Sequence, residues 1–244
     1  MSNSTPNQVN GIPVTAENGI DVKAALAAKP FTDWLASVDT TRFTVNSIHF
    51  QSVDMFGPRV GFVKFKCAVT DSQGNFIPGI IFARGGAVAV LAILECEGEH
   101  HVVVTVQPRL ATGSFEFVEI CAGMLDGSGN FAGVAAKELD EELGIKLDED
   151  DLTDLSALAG YADGMYLSPG ACEETMRFFA FCQSVTREEL DDINGRCTGA
   201  LDENEQITVK LIAVDDLLSL PDAKSVVAHS LLSRFGDQIP GYSA

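Results

Sequence analysis

Between Gly123 and Ile145 the chain reads GMLDGSGNFAGVAAKELDEELGI, and four carboxylates, Glu138, Asp140, Glu141 and Glu142, crowd into five consecutive positions. A helix places residues three and four apart on one face, so Glu138, Glu141 and Glu142 converge if this stretch is helical. Two carboxylates about 5.5 Å apart repel by roughly 3 kcal/mol at an effective dielectric of about 20. A hard divalent cation would offset that repulsion, because Mg²⁺ takes oxygen ligands and usually keeps water and substrate phosphates in its remaining positions. The cluster therefore suggests metal-assisted chemistry on phosphates. Taken alone, it also fits a solvated acidic helix face.

Local signals place this cluster on a helix. Gly127, Ser128, Gly129 and Asn130 supply turn and capping chemistry, and Gly144 is a stop after Leu143, which predicts a helix over Phe131 to Leu143. Val134, Ala135, Leu139 and Leu143 lie on the opposite face and point to a core. Upstream, Val22 to Val38 has helical apolar spacing broken at Pro30, predicting two short helices with a kink. Arg42 to Met55 and Arg59 to Val69 alternate around Gly57-Pro58 as a hairpin should, and Asp71-Ser-Gln-Gly74 makes a second turn. Ile77 to Leu94 reads as two strands interrupted at Arg84-Gly85-Gly86. Further strands are expected at His101 to Val106, Phe115 to Ile120, Ala157 to Ala162, Arg177 to Val185 and Gln206 to Val214. Asp163 to Gly170 reads as a loop, and Ala223 to Phe235 as an amphipathic helix behind Pro221 and Asp222. Strands clustered around few helices predict an α/β fold, a mixed sheet sandwiched by helices.

The composition narrows the partners. Against 16 basic residues stand 35 acidic ones, a net charge of −19 that argues against nucleic acid and anionic membrane surfaces. Anionic substrates would need a metal and local arginine. No apolar run reaches the ~18 residues of a membrane span, and the N-terminus lacks the basic start and apolar stretch of a signal peptide. The expectation is a cytoplasmic protein, with organellar targeting left open. Cys67, Cys96, Cys121, Cys172, Cys182 and Cys197 are widely spaced, which suggests reduced thiols rather than zinc or a disulfide framework. The chain divides into a disordered polar tail (1–20), a helix and β-hairpin subdomain (21–76) and a larger domain (77–244).

The spacing Gly123, Lys137-Glu138-Leu139, Glu141-Glu142, Gly144, Ile145 closely resembles the Nudix box. Gly129 stands where the box has its first Glu, and Lys137 where it has Arg. The resemblance extends to VDMFGPRVGFVKFK (from Val53), IPGIIFARGGAVAVL (from Ile77), Gln107-Pro108-Arg109, EICAGMLD (from Glu119) and SPGACEE (from Ser168). Together these look like the ADP-sugar diphosphatases of the ADP-ribose pyrophosphatase branch. The resemblance implies a Nudix α/β/α sandwich with an N-terminal antiparallel β-subdomain. It also implies a homodimer and hydrolysis of ADP-ribose or ADP-glucose to AMP and a sugar phosphate, with Mg²⁺ or Mn²⁺ in its place.

Roles follow position by position. Glu138 and Glu142 match the box metal ligands, the Ala122 carbonyl matches a backbone ligand, and Glu141 matches a ligand for a further ion or an alternative base. Glu174 matches the loop glutamate that activates water, with the adjacent Glu173 as its rival. Arg109 matches an arginine near the diphosphate, where a guanidinium can fork onto phosphate oxygens. Arg84 is a second phosphate candidate or one arm of a structural ion pair, and Trp34 either stacks on adenine or belongs to the core. The histidines fall outside every motif. Two other readings stay open: a hydrolase for another nucleoside diphosphate compound, and a weakly catalytic module that binds ADP-ribose-like ligands.

Overall fold

The computed structural model describes residues 7–125, 130–199 and 206–243. Gly127, Ser128 and Gly129, read above as turn residues, lie outside this set. The chain forms two units, one from Met1–Gly86 with Tyr166–Thr175 and the other from Ala87–Met165 with Met176–Ala244.

The first unit begins with β1 (Gln8–Val9) and β2 (Ile12–Ala16). Over Gln8–Ala16 these strands replace part of the disordered tail expected for residues 1–20. Asn10 and Gly11 both have positive φ, 50° and 79°, and close a tight hairpin, while Val14 is buried in the unit's core. Asn-Gly is the strongest short hairpin signal, because such a turn needs two left-handed residues. Helices α1 (Val22–Ala27) and α2 (Lys29–Ser37) follow, with Asp21 capping the first through bonds from the Lys23 and Ala24 amides. The break falls at Ala28, and Pro30 sits in the first turn of α2, where its missing N–H costs nothing. The long hairpin of β3 (Phe43–Phe56) and β4 (Arg59–Asp71) bends at three register shifts. It carries β5 (Phe76–Ile77) and β6 (Ile80–Ala83) on β4, completing a sheet in which only β2 and β3 run parallel.

The second unit is built on β7 (Ala87–Cys96), which is buried almost throughout. That burial explains the unbroken apolar run, since a central strand covered on both faces has no solvent side to mark with polar residues. Next come β8 (Glu99–Arg109) and β9 (Ser114–Met124), and α3 (Phe131–Glu138) continues directly into a π-turn at Leu139–Leu143. The remaining elements are β10 (Thr153–Asp154), α4 (Leu155–Leu158), β11 (Met165–Tyr166), β12 (Thr175–Ser184), α5 (Arg187–Ile193), β13 (Cys197–Thr198), β14 (Ile207–Ala213) and α6 (Ala223–Phe235). The sheet runs β10-β12-β7-β9-β8-β14-β13, with β12 and β7 parallel and the other neighbours on this path antiparallel. One face of β7 (Val88, Val90, Ala92, Leu94) packs against Val134, Leu139 and Leu143 of the acidic helix and Leu190 and Ile193 of α5. On the other side α6 packs against β9 and α4. The mixed sheet between helices is the α/β sandwich expected from the sequence.

Among the differences from the sequence reading, two concern helices. The strand expected at Ala157 to Ala162 is instead the end of α4 followed by a turn, the helix being started by Asp154, whose carboxylate accepts the Ala157 amide. Helix α5 lay unrecognised although Thr186 and Glu189 form a capping box, a signal that TREEL carries in plain view.

Candidate metal centre and anion-binding residues

The acidic helix starts where Asn130 accepts the Gly133 amide and ends where Gly144 takes the left-handed conformation at φ 68°. Its bounds match the sequence reading, but its second half is a π-turn rather than α-helix. A π-turn fits one extra residue into a turn and recurs at functional sites. Leu139 and Leu143 are fully buried and anchor this turn, each contributing about 2 kcal/mol through apolar burial.

Strand β9 supplies the opposing wall. The Glu138 carboxyl lies directly over Gly123, where a Cβ atom would stand 1.9 Å from its Oε1. One residue earlier, the Ala122 amide donates to Glu142 Oε2 at 3.3 Å, and Gln107 Nε2 on β8 donates to Oε1 at 3.5 Å. Because a strand residue turns its N–H and C=O to the same edge, the Ala122 carbonyl lies on the Glu142 side rather than toward β7. Glu138, Glu142 and Ala122 are thus brought together. Glu141 instead pairs with Lys137 at 3.2 Å on the exposed side of the helix.

Glu142 is buried, with 6% of its surface exposed. Burial pushes its carboxyl up to about 7, against hydrogen bonds from the Cys121 thiol, the Ala122 amide and Gln107, while the charge of Glu119 raises it further. Among the described residues no three His, Cys, Asp or Glu side chains gather as a ready cage. Two carboxylates and a strand carbonyl nevertheless fit Mg²⁺, which binds proteins through one or two carboxylates and completes its octahedron with water and phosphate. A buried carboxyl held above its usual range also has the affinity for positive charge that such a centre needs.

Arg109, at the end of β8, bonds through Nε to Glu119 Oε1 at 2.5 Å. Its strand tolerates Pro108 because the β8–β9 register shifts there. Glu119 is 4% exposed, and its other oxygen takes Lys224 Nζ at 2.6 Å. Glu119, Gln107 and Lys224 escaped the sequence reading as functional residues. The pairing of β8 with β9 and the packing of α6 against β9 bring the three together, and neither is written in local sequence.

The first unit holds the remaining candidates. Its loop is pinned to β6 by the Phe82 amide donating to the Ala171 carbonyl at 2.8 Å. Glu173 Oε1 accepts the Gly85 amide at 2.6 Å, while its buried Oε2 has no hydrogen-bond partner among the described residues. Burial raises the Glu173 carboxyl, opposed by bonds from the Gly85 and Arg84 amides. Glu174 pairs with Arg84 at 3.3 Å, and the Arg84 guanidinium lies 5.5 Å from the Phe62 ring centroid. Of the two readings for Arg84, the ion pair is present. Trp34 packs edge-on against Phe65 at 4.7 Å and beside Phe31 at 5.9 Å, as a partly buried member of the aromatic core. It also borders a cavity of about 460 Å³ shared with Asp39, Tyr166 and Glu173.

A family model described as "NUDIX domain" matches residues 83–234. "Nudix hydrolase 14, chloroplastic" of Arabidopsis thaliana is 38% identical over 247 residues, covering 95% of this chain and 80% of that protein. A solved structure described as an "ADP compounds hydrolase" shares the fold at 17% identity with a TM-score of 0.55, over 83% of this chain and 98% of its own. Among the described residues no helix is long and apolar enough to cross a membrane.

Proposed function

The chain belongs to the NUDIX domain family and is a Nudix hydrolase, and from that premise we propose that it hydrolyses the diphosphate bond of ADP-sugars, ADP-ribose or ADP-glucose, to AMP and a sugar phosphate. The observation that carries the reading is the convergence of Glu138 and Glu142 on Gly123 and Ala122. The wording "ADP compounds" in the structural relative's description supports the adenylate half of it.

Glu138, Glu142 and the Ala122 carbonyl would hold Mg²⁺, or Mn²⁺ in its place, which neutralises the diphosphate and polarises the phosphorus under attack. Glu141 is the reserve ligand for a further ion. Arg109 offers the terminal nitrogens of its guanidinium to diphosphate oxygens. A loop glutamate, Glu174 by its register in the SPG motif, takes the proton from the attacking water. Water adds across one P–O bond of the diphosphate, its oxygen to phosphorus and its proton to the base. The bridging oxygen leaves with the other phosphate. A homodimer belongs to the same reading, and light scattering should give twice the 26.0 kDa of one chain.

The deciding experiment incubates the protein with ADP-ribose and ADP-glucose, with Mg²⁺ or with excess chelator, and separates the nucleotides. AMP appearing only with the cation is expected. If neither substrate yields AMP with Mg²⁺ or Mn²⁺, the reading fails, and binding of ADP-ribose without turnover would make the chain a ligand-binding module.

A further inference from the structure

Glu119 is a carboxylate with almost no access to water and two cations on it. Arg109 Nε takes Oε1 at 2.5 Å and Lys224 Nζ takes Oε2 at 2.6 Å. Lys224 is itself largely buried, its side chain 13% exposed, and it also reaches Asp222 Oδ1 at 2.8 Å. Burial alone would pull the Lys224 ammonium down, but Glu119 and Asp222 hold it above its usual range, so it stays charged. Asp222 caps α6 by accepting the Lys224 and Ser225 amides, and the helix N-terminus matches its charge. Counted together, Arg109, Lys224, Glu119 and Asp222 sum to zero formal charge, and the α6 N-terminus adds its partial positive charge.

Among the described residues, the Arg109 side chain makes no other ion pair or hydrogen bond than the one through Nε, and 41% of the side chain is exposed. A guanidinium has five N–H donors, and a carboxylate with both oxygens free takes two of them side by side. Lys224 competes with that arrangement by taking Oε2.

We propose that Lys224 is a positioning residue for Arg109: by taking one oxygen of Glu119 it limits the arginine to a single bond through Nε and leaves its terminal nitrogens for an anionic substrate. Without Lys224, Glu119 would draw Arg109 into a two-pronged pair and cancel its charge. This rests on Arg109 as the diphosphate contact.

The test is a double-mutant cycle in steady-state kinetics on ADP-ribose with Mg²⁺, using Lys224→Met, Arg109→Ala and the double variant, each checked by thermal melting. Lys224→Met should raise KM about tenfold with kcat within about twofold, the signature of lost binding that is equal in ground and transition states. Arg109→Ala should raise KM at least as much, and the double variant should be no worse than Arg109→Ala, because residues acting through one group are not additive. A merely structural lysine would give additive losses, and that result overturns the proposal. So does a wild-type KM in Lys224→Met beside a raised KM in Arg109→Ala. A wild-type protein that makes no AMP would sink the hydrolase reading instead, and a silent Arg109→Ala would sink the arginine's role. If Lys224→Met does not fold, Lys224→Gln keeps a donor for Oε2 without the charge and carries the same comparison, with a smaller KM rise expected.

Discussion

The Glu138 carboxyl occupies the space beside Gly123 so fully that a Cβ there would sit 1.9 Å from both its Cδ and its Oε1. Gly123→Ala must therefore displace Glu138. What moves is the far end of a flexible side chain, so the fold should survive with a loss of about 1 kcal/mol. The carboxylate, however, leaves its place opposite Glu142. Turnover of ADP-ribose should fall by about a hundredfold or more, since a misplacement near 1 Å costs that much. A variant with wild-type kcat at saturating Mg²⁺ would separate Glu138 from the chemistry.

Glu142→Gln should abolish nearly all activity while leaving the fold intact, because the amide keeps the side chain's shape and one acceptor, for the Ala122 N–H, but carries no charge. Glu138→Gln should behave alike, and chelation should silence the wild type reversibly. Titration of Mg²⁺ followed by calorimetry checks the point without turnover: both variants should lose most of the affinity of the parent protein.

Thiol reactivity should follow burial. Burial pushes Cys67 up to about 12, and raises Cys121 well above the ordinary thiol range with help from the charge of Glu142. The thiolate is the reactive form, so both should resist a chromogenic disulfide at pH 8. Cys197 is exposed and should react first. Cys197→Ser should remove the fastest phase and leave slower reaction at the half-buried Cys172 and Cys182; a fast phase that also survives Cys172→Ser and Cys182→Ser would contradict the burial of Cys67, Cys96 and Cys121.

These thiols also show what the sequence could and could not carry. Wide spacing without CxxC was enough to read reduced cysteines, but nothing local said that Cys121 would face Glu142. The acidic helix was legible to its end residues because Asn130 and Gly144 are local signals and Leu139 and Leu143 repeat on one face. The π-turn within it was not, since the four-residue apolar spacing that marks a helix does not tell an α-turn from a π-turn. Likewise Arg109 stood out by its motif, while its partner Glu119 lies 10 residues from it in sequence and 105 from Lys224, the second cation on that carboxylate. The missed β1–β2 hairpin is a different failure, because Asn10-Gly11 did carry the signal and its polar surroundings masked it.

Glu173 supplies the pH dependence. Its carboxyl is raised by burial, so the folded state holds the proton more tightly than the unfolded chain does. Its ionised form therefore opposes folding: the protein is least burdened below the unfolded value, and stability falls as pH rises from there through the folded one. Glu173→Gln keeps the Oε1 acceptor for the Gly85 amide and removes the charge. It should melt above the wild type at pH 8, with the gain shrinking toward pH 4. A gain that is constant with pH would mean that the effect is not ionisation.

Glu173 and Glu174 divide two tasks, anchoring the loop and serving as base, and the last prediction assigns them. Glu173 is tied to Gly85 at 2.6 Å, which makes it the anchor, and its unpartnered Oε2 is the penalty of that burial. Glu174 pairs instead with Arg84 at 3.3 Å, a looser contact than the one that anchors Glu173. Neighbouring side chains of an extended segment face opposite ways, so one residue cannot stand in for the other. Glu174→Gln should lower kcat by about 10² to 10⁴ with little change in KM, the usual worth of positioned acid–base catalysis. Glu173→Gln should lower kcat by less than about tenfold. The reverse order would put the base at the residue with the free oxygen and make Glu174 a partner that keeps Arg84 in place; if neither variant loses activity, the base lies in the acidic helix, and Glu141, exposed beside Lys137, is the residue to change next.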